Sequence, residues 1–258
     1  MTAPVTATRD GGVLVVRLAN AAKRNVIDLA FATTLHEIVG GGLADVGAVA
    51  VVQDGDHFCV GGDVRGMAAA DDGSAFVRAL ATELHHSMRI LADGPPVVVG
   101  VRGWAAGAGM SLACAGDVVV AGESAMFQPA YPGIGVTPDG GMSWNLPRAV
   151  GARRARSIIL RNAALTAAEA QADGIVDEVL ADEAVEARVL ELARGLADGP
   201  RAAYLAAKRL LRESETASYS DQLDAEAAGI AERVASPDGA EGITAFVERR
   251  TPQFGGTR

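Results

Sequence analysis

Two glycine-rich turns decide the fold of this chain: FCVGGD at residues 58–63 and GWAAGAG at residues 103–109. Each turn follows a run rich in valine, at residues 48–52 and 96–101, which predicts a buried strand. A predicted helix follows each turn, and the first N–H groups of a helix have no intrahelical partner. Small residues allow a ligand to approach such a backbone closely. Two facing turns of this kind would supply the paired N–H donors of an oxyanion hole.

The composition is typical of a soluble globular protein with a large core. The chain has 258 residues, of which 49% are hydrophobic and 21% charged. No apolar run reaches the roughly 18 residues that a membrane span needs, and the N-terminus lacks the layout of a secretory signal. Two cysteines, Cys59 and Cys114, form no disulfide framework and are expected to be small buried side chains. We therefore expect a cytoplasmic protein without membrane contact.

The net charge of −9 argues against a nucleic acid as partner. A nucleic-acid-binding protein usually carries a basic patch, and this chain has only short basic clusters, at residues 153–156 and 249–250. The cluster at 153–156 is expected to form the solvated face of a helix.

Hydrophobic spacing predicts strands that alternate with helices, followed by helices alone. The side chains of Asp28, Asp63 and Thr166 are predicted to cap helices, and Thr166 with Glu169 forms a capping box. The predicted strands are 13–18, 48–53, 96–101, 117–121, 125–127 and 175–180. The predicted helices are 28–39, 74–91, 107–115, 140–149, 151–161, 182–198, 200–213, 218–235 and 238–249. This order predicts an α/β core with a helical appendage.

The two turns belong to a wider set of motifs: KRNVID at 23–28, CAGDVVVA at 114–121 and RRTPQF at 249–254. Together they resemble the crotonase superfamily (enoyl-CoA hydratase/isomerase) over nearly the whole chain. The resemblance implies an α/β fold, a spiral of ββα turns with a C-terminal all-helical region for trimerisation. It divides the chain into a core with the acyl-CoA site at 1–195 and a helical region at 196–258, and it implies a homotrimer or a dimer of trimers.

The resemblance also implies an acyl-CoA thioester as substrate, with no metal and no cofactor apart from the coenzyme A of the substrate itself. In that family two main-chain N–H groups hold the thioester oxygen as it becomes an enolate, and by position they belong to Gly62 and Ala108. Lys23 and Lys208 are the only lysines and fall where the family places cations near the CoA phosphates. The residues carried over as binding substrate or CoA are Lys23, Val26, Val60, Gly62, Asp63, Val64, Ala108, Tyr131, Lys208 and Phe254.

The chain departs from the hydratases of the family at both catalytic positions. Their two glutamates correspond to Ser111 and Tyr131. Hydration needs one group to activate water and another to protonate the α-carbon. Serine without an adjacent base cannot do the first, and tyrosine, with a reference pKa near 10, is poorly matched to neutral pH. The substitutions therefore argue against ordinary enoyl-CoA hydratase activity.

Asp139 is the alternative carboxylate. The stretch from Gly135 to Arg148 resembles the ring 1,2-epoxyphenylacetyl-CoA isomerases, in which an aspartate at this position moves the proton. Removal of a proton at one end of a conjugated system and its return at the other suits a single carboxylate. The competing interpretation is that Asp139 only caps a helix starting near Gly140, since aspartate is common there.

Three functions therefore remain open. The favoured one is an acyl-CoA isomerase that shifts a double bond or rearranges a ring. The others are a hydratase or hydrolase with atypical residues, and a non-catalytic CoA-binding homologue. Tyr131 and Trp104 are candidates for the acyl pocket, and Phe246 for the border of the CoA site.

The histidines are not expected to take part. His36, His57, His85 and His86 show no zinc-ligand spacing with acidic partners. His85 and His86 lie within the long predicted helix, where adjacent residues point about 100° apart, so at most one of them faces a pocket; a surface position is the favoured interpretation.

Overall fold

A computed structural model describes residues 3–255 and shows a mixed α/β fold. Within these residues nine strands form two sheets: β1 (Val5–Asp10), β2 (Val13–Leu18), β3 (Ala48–Gln53), β4 (Val97–Val101), β5 (Trp104–Ala106), β6 (Val118–Gly122), β7 (Met126–Gln128), β8 (Leu165–Thr166) and β9 (Glu178–Leu180). The main sheet has the order β1-β2-β3-β4-β6-β9, and the second has the order β5-β7-β8. In the main sheet only β1 and β2 are antiparallel; the other neighbours run parallel.

Eleven α-helices lie in the same residues. They are α1 (Leu29–Gly40), α2 (Val64–Ala69), α3 (Gly73–Asp93), α4 (Ala108–Ala113), α5 (Met142–Val150), α6 (Ala152–Leu160), α7 (Ala167–Ala172), α8 (Val185–Ala197), α9 (Arg201–Glu213), α10 (Tyr219–Val234) and α11 (Pro237–Glu248). Strands alternate with helices up to α8 and only helices follow, which confirms the predicted order. Short 3-10 turns cover Ala21–Lys23, Tyr131–Ile134 and Asp182–Ala184.

Helices cover both faces of the main sheet, which explains why β3 is buried along its whole length. Alternate residues of a strand point to opposite faces. Ala48, Ala50 and Val52 pack in a cluster with residues of α8, whereas Val49 and Val51 belong to the larger core with residues of α1 and α3. The valine-rich strands therefore fix the position at which the first turn leaves the sheet.

The predicted caps are present. Asp28 accepts a hydrogen bond from the Phe31 amide at 2.9 Å, and Asp63 accepts one from the Gly66 amide at 2.9 Å. Thr166 and Glu169 form the capping box. The expectation of a strand over 175–180 was too long, because only Glu178–Leu180 pairs, with β6.

The C-terminal helices α9, α10 and α11 carry exposed apolar side chains. Phe246 is 85% exposed, Val247 75%, Leu211 72% and Ile230 67%. None of the helices between residues 3 and 255 combines the length and apolar composition that a membrane crossing needs.

Candidate active site

The two glycine-rich turns lie side by side. The Cys59 amide donates to the Trp104 carbonyl at 3.0 Å, and the Ala106 amide donates to the Cys59 carbonyl at 2.9 Å. Cys59 and Ala105 therefore pair in parallel. The turns are still close where the pairing ends, because a Cβ atom at Gly107 would lie 3.7 Å from the Gly61 Cα. Gly62 and Ala108 follow these two glycines directly.

Close packing of the turns depends on glycine. A Cβ atom at Gly109 would lie 2.2 Å from the Cys59 carbonyl oxygen, and one at Gly61 would lie 3.0 Å from the Ala106 carbonyl oxygen. Gly61 also has a φ of 100° and Gly107 a φ of 53°, a region that favours glycine. The turns therefore approach each other backbone to backbone.

The amides of Gly62 and Ala108 are available to a ligand. Ala108 is the first residue of α4, so its N–H has no partner within the helix. Within residues 3–255 neither amide donates to a carbonyl or to a side chain. Two such donors in adjacent turns suit an oxygen atom that acquires negative charge.

Ser111, Tyr131 and Asp139 form one hydrogen-bonded cluster. The Tyr131 hydroxyl donates to Asp139 Oδ1 at 2.7 Å. Ser111 Oγ lies 2.9 Å from the Tyr131 hydroxyl and 2.9 Å from the Asp139 carbonyl oxygen. Ser111 lies one turn of α4 beyond Ala108, so the cluster stands next to the amide of that residue.

The environment keeps the Tyr131 hydroxyl protonated. Burial raises the pKa of Tyr131 well above its ordinary value of 10.0, and the negative charge of Asp139 raises it further. At neutral pH the hydroxyl is therefore a hydrogen-bond donor to the carboxylate and a poor proton acceptor.

The capping interpretation of Asp139 is wrong. Helix α5 begins at Met142, its N-cap is Gly141, and no side chain caps it. Gly140 and Gly141, with φ values of 59° and 84°, separate the aspartate from the helix. The carboxylate is therefore bonded to Tyr131 instead of to the helix amides.

His85 is a site residue that the sequence did not reveal. Its Nε2 atom accepts a hydrogen bond from the Gly140 amide at 3.0 Å, next to Asp139. Of the two adjacent histidines, His85 is half-buried and meets this loop, against the favoured surface position, whereas His86 is exposed. In the sequence, the only indication was that His85 follows Leu84, a residue on the apolar face of the helix. That neighbour does not reveal which group the imidazole contacts.

A cleft of about 600 Å³ opens beside the first turn. Its lining includes six of the predicted binding residues, namely Lys23, Val26, Val60, Gly62, Asp63 and Val64. Arg24 and Arg65 also line it and were not predicted. Lys23 Nζ lies 3.3 Å from Asp28 Oδ2, and its side chain is 63% exposed. Three cations at one cleft suit a polyanionic ligand.

Ala108, Tyr131 and Asp139 are not among the residues that line this cleft. Four further candidates lie elsewhere in the described part of the chain. Lys208 Nζ is held by Asp117 Oδ2 at 2.6 Å and is only 17% exposed. Phe254 lines a separate cavity of about 390 Å³, and its ring faces Gly242. Trp104 borders a third cavity, and Phe246 lies on the exposed side of α11. The described residues of one chain thus do not bring these four side chains to the cleft.

The cysteines take no part in the cleft lining. Burial raises the pKa of the Cys59 thiol to about 12, although a hydrogen bond from the Gly61 backbone lowers it in part. Burial also raises the pKa of Cys114 to about 12. Neither thiol is activated as a nucleophile, since a nucleophilic cysteine requires a lowered pKa.

Known proteins resemble this chain over nearly its whole length. The family model Enoyl-CoA hydratase/isomerase matches residues 8–257. A Rhodobacter capsulatus protein, named as a probable enoyl-CoA hydratase, is 34% identical over 95% of this chain and 95% of its own length. The 1,2-epoxyphenylacetyl-CoA isomerase of Escherichia coli is 36% identical over 78% of both chains. The crystal structure of an enoyl-CoA hydratase from Polaromonas sp. JS666 has a TM-score of 0.91 at 29% identity, over 96% of this chain and 98% of that one. The similarity includes both sheets and the C-terminal helices.

Proposed function

Because the chain belongs to the enoyl-CoA hydratase/isomerase family, we propose that it is an acyl-CoA isomerase that works through an enolate, with Asp139 as its proton shuttle. The observation that carries the proposal is the cluster at the two positions that resemble the hydratase glutamates. Ser111 and Tyr131 stand there, and both are hydrogen-bonded to Asp139. Asp139 is the one carboxylate in that cluster.

The proposed reaction begins with removal of an α or γ proton by the Asp139 carboxylate. The electron pair moves into the conjugated system, and the thioester oxygen becomes negatively charged. The Gly62 and Ala108 amides stabilise that oxygen; removal of one such donor typically costs about 2.7–4 kcal/mol of barrier. Asp139 then returns the proton to the other end of the system and recovers its charge.

The hydrogen bond from Tyr131 supports this role for Asp139. It occupies Oδ1 and orients the carboxylate, which leaves Oδ2 for the substrate. Hydration needs a second acid or base. Tyr131, with its raised pKa, is a poor candidate for a base, and the Ser111 hydroxyl contacts the Tyr131 hydroxyl and the Asp139 backbone carbonyl, neither of which is a base.

Acyl-CoA is the substrate class that fits the cleft. We propose that Lys23, Arg24 and Arg65 receive the CoA phosphates, since all three line the cleft that contains Gly62. Coenzyme A enters as part of the substrate, and the proposed proton transfers require no additional cofactor.

We also propose that the chain assembles as a homotrimer or a dimer of trimers through α9, α10 and α11. The exposed Phe246, Val247, Leu211 and Ile230 support this, because large apolar side chains exposed together on helices that pack against one another favour an interaction surface. Sedimentation analysis of the wild type and of Phe246→Glu tests the assembly: a monomeric wild type would contradict it.

The isomerase proposal is tested by deuterium exchange into a panel of enoyl-CoAs, followed by NMR. We expect exchange at the α or γ carbon and a shifted double bond in the wild type. Asp139→Asn should reduce both by at least about 1,000-fold while acyl-CoA still binds. Asp71→Asn, on an exposed residue, is the matched control and should behave as the wild type.

The alternative functions predict different outcomes. A hydratase is favoured by the name of the Rhodobacter capsulatus relative. Efficient addition of water to crotonyl-CoA, with no double-bond shift, would replace the isomerase proposal with that alternative. A non-catalytic CoA-binding protein would show no activity in the wild type and the same acyl-CoA affinity in Asp139→Asn.

A further inference from the structure

Two histidines and a glutamate meet between α1 and α3, away from the proposed active site. His36 comes from α1, whereas Glu83 and His86 lie three residues apart on α3. His36 Nδ1 lies 2.6 Å from Glu83 Oε1, and His86 Nδ1 lies 3.7 Å from Glu83 Oε2. In the part of the chain that the structure describes, these three residues are the one group whose potential ligand atoms all lie within 4.8 Å of one another.

The sequence shows no zinc-ligand spacing among its histidines, but spacing along the chain does not reveal residues that the fold brings together. The cluster is assembled by packing, because His36 is 47 residues from Glu83. No local motif therefore indicates it. Glu83 and His86 alone supply two potential ligands, and His36 on α1 supplies the third.

We infer that His36, Glu83 and His86 form a binding site for a divalent transition-metal ion, with Zn²⁺ as the best fit. Two imidazoles and a carboxylate are a common zinc ligand set, and this set disfavours Mg²⁺ and Ca²⁺, which prefer oxygen ligands. The site is distinct from the cleft and from Asp139.

The arrangement of the side chains is close to that around a tetrahedral ion. One ligand atom from each of the three residues lies within 4.8 Å of the other two, whereas bonds of about 2.05 Å at the tetrahedral angle place neighbouring ligand atoms about 3.3 Å apart. Two imidazoles bound to one such ion have ring centres about 5.2 Å apart. The ring centres of His36 and His86 lie 5.0 Å apart, with the ring planes tilted by 46°. Binding of the ion therefore requires side-chain rotations that draw the three ligand atoms together.

The environment permits a fourth ligand. The side chains of His36, Glu83 and His86 are 35%, 25% and 44% exposed, so one side of the cluster faces solvent. Water can complete the coordination there. His36 binds the ion through an unprotonated Nδ1, so a proton on that atom moves to Nε2 of the same ring or to solvent when the ion binds.

The bound ion would connect α1 to α3. A ligand that binds only the folded state stabilises that state. At a Zn²⁺ concentration about 100 times the dissociation constant, we expect the melting temperature of a chain of this size to rise by about 5–10 °C.

The experiment is titration of the metal-free full-length protein with ZnCl₂ by calorimetry and with CoCl₂ by visible absorption. We expect one ion per chain and the intense bands of tetrahedral Co²⁺. His36→Ala, Glu83→Gln and His86→Ala should each weaken Zn²⁺ binding by at least about 10-fold. Glu37→Gln, which alters an exposed carboxylate on the same turn of α1, should bind as the wild type.

His86→Ala is the decisive variant, because its half-exposed side chain is removed without opening the core. Circular dichroism establishes that the variant is folded. If the wild type binds no Zn²⁺, or if folded His86→Ala binds it as the wild type does, the inference is wrong and the three side chains form a hydrogen-bonded cluster only. Isomerase activity is not part of the readout, so failure here and failure of the proposed function are separate results.

Discussion

The two halves of the proposed active site are built in different ways. The amides of Gly62 and Ala108 are positioned by backbone: the Cys59–Ala105 pairing fixes the two turns, and glycine allows them to touch. The Asp139 carboxylate is positioned by side chains: Tyr131, eight residues before it, donates to the carboxylate, and His85, far away in the sequence, accepts from the next amide. The amide half therefore does not depend on side-chain chemistry, whereas the carboxylate half does.

The largest effect is expected at Gly109. Its Cβ in Gly109→Ala would lie 2.2 Å from the Cys59 carbonyl oxygen, which is backbone and cannot move aside cheaply. We expect the free energy of unfolding to fall by more than about 3 kcal/mol, since backbone strain of this kind belongs to the most damaging class of substitution. We also expect isomerisation to fall by at least about 100-fold, because the Ala108 amide is displaced. Urea unfolding and the isomerase assay measure the two effects.

Gly195→Ala is the matched control. Gly195 lies in α8 with no atom within 4 Å of its built Cβ, so alanine should stabilise the helix by about 1 kcal/mol. A Gly109→Ala variant as stable and active as this control would contradict the tight packing of the turns.

The next effect is expected at Tyr131. Tyr131→Phe removes the donor to Asp139 Oδ1 and leaves the ring in place. We expect kcat to fall by about 10- to 100-fold with little change in KM, because the carboxylate loses its orientation and not its access to substrate. Steady-state kinetics measure this.

Ser111→Ala is the comparison for Tyr131→Phe. Ser111 bonds to the Asp139 carbonyl and not to its carboxylate, so a smaller loss is expected. Equal activity of Tyr131→Phe and the wild type would mean that the hydroxyl does not orient the base.

The contrast between backbone-built and side-chain-built features also explains which parts of the structure the sequence predicts. The valine-rich strands, the turns and the caps at Asp28 and Asp63 follow from local patterns, and the structure has them. The edge strand Val5–Asp10 was not predicted, because its residues are mostly exposed and it depends on pairing with β2. The two-residue strand Leu165–Thr166 is too short to leave a pattern.

Side-chain clusters are predicted less well than turns. Asp139 was selected by resemblance, but its bond to Tyr131 depends on how the loop between them folds, and the His85–Gly140 contact joins residues far apart in the sequence. The cluster of His36, Glu83 and His86 has the same origin. Periodicity indicates which face of a helix is buried, but it does not indicate which partner that face meets.

Substitution of His85 is expected to have an effect between those at Tyr131 and Cys59. In His85→Leu the buried Gly140 amide loses its acceptor, which typically costs about 1–3 kcal/mol of stability. We expect kcat to fall by about 10-fold, because Asp139 adjoins that amide. His85→Gln keeps an acceptor atom on a side chain of similar reach and should recover most of both losses. Thermal unfolding and kinetics of the two variants, measured side by side, decide the question; equal losses in both would assign His85 a packing role.

The smallest expected effect is a loss of folding stability at alkaline pH, to which Cys59 in the backbone half and Tyr131 in the side-chain half contribute over different pH ranges. Burial raises the pKa of the Cys59 thiol from its ordinary value of 9.0 to about 12. A thiol that is harder to ionise in the folded state contributes stability that is complete below about pH 9 and is lost as the pH rises towards 12. By pH 10 the Cys59 thiol has cost the folded state about 1.4 kcal/mol of its free energy of unfolding.

Cys59→Ala should abolish this pH-dependent loss of stability, because the variant has no thiol at residue 59 to ionise. We expect its free energy of unfolding to fall by about 1.4 kcal/mol less than that of the wild type between pH 8 and 10, whatever its value at pH 8. The pKa of Tyr131 is also raised, but an unfolded tyrosine ionises only near pH 10, so Tyr131→Phe should follow the wild type through most of this window and diverge above it. Urea unfolding at intervals of half a pH unit resolves the two onsets. If Cys59→Ala follows the wild-type curve throughout, the thiol ionises without opening the turn, and the backbone half of the site is less tightly closed than its packing indicates.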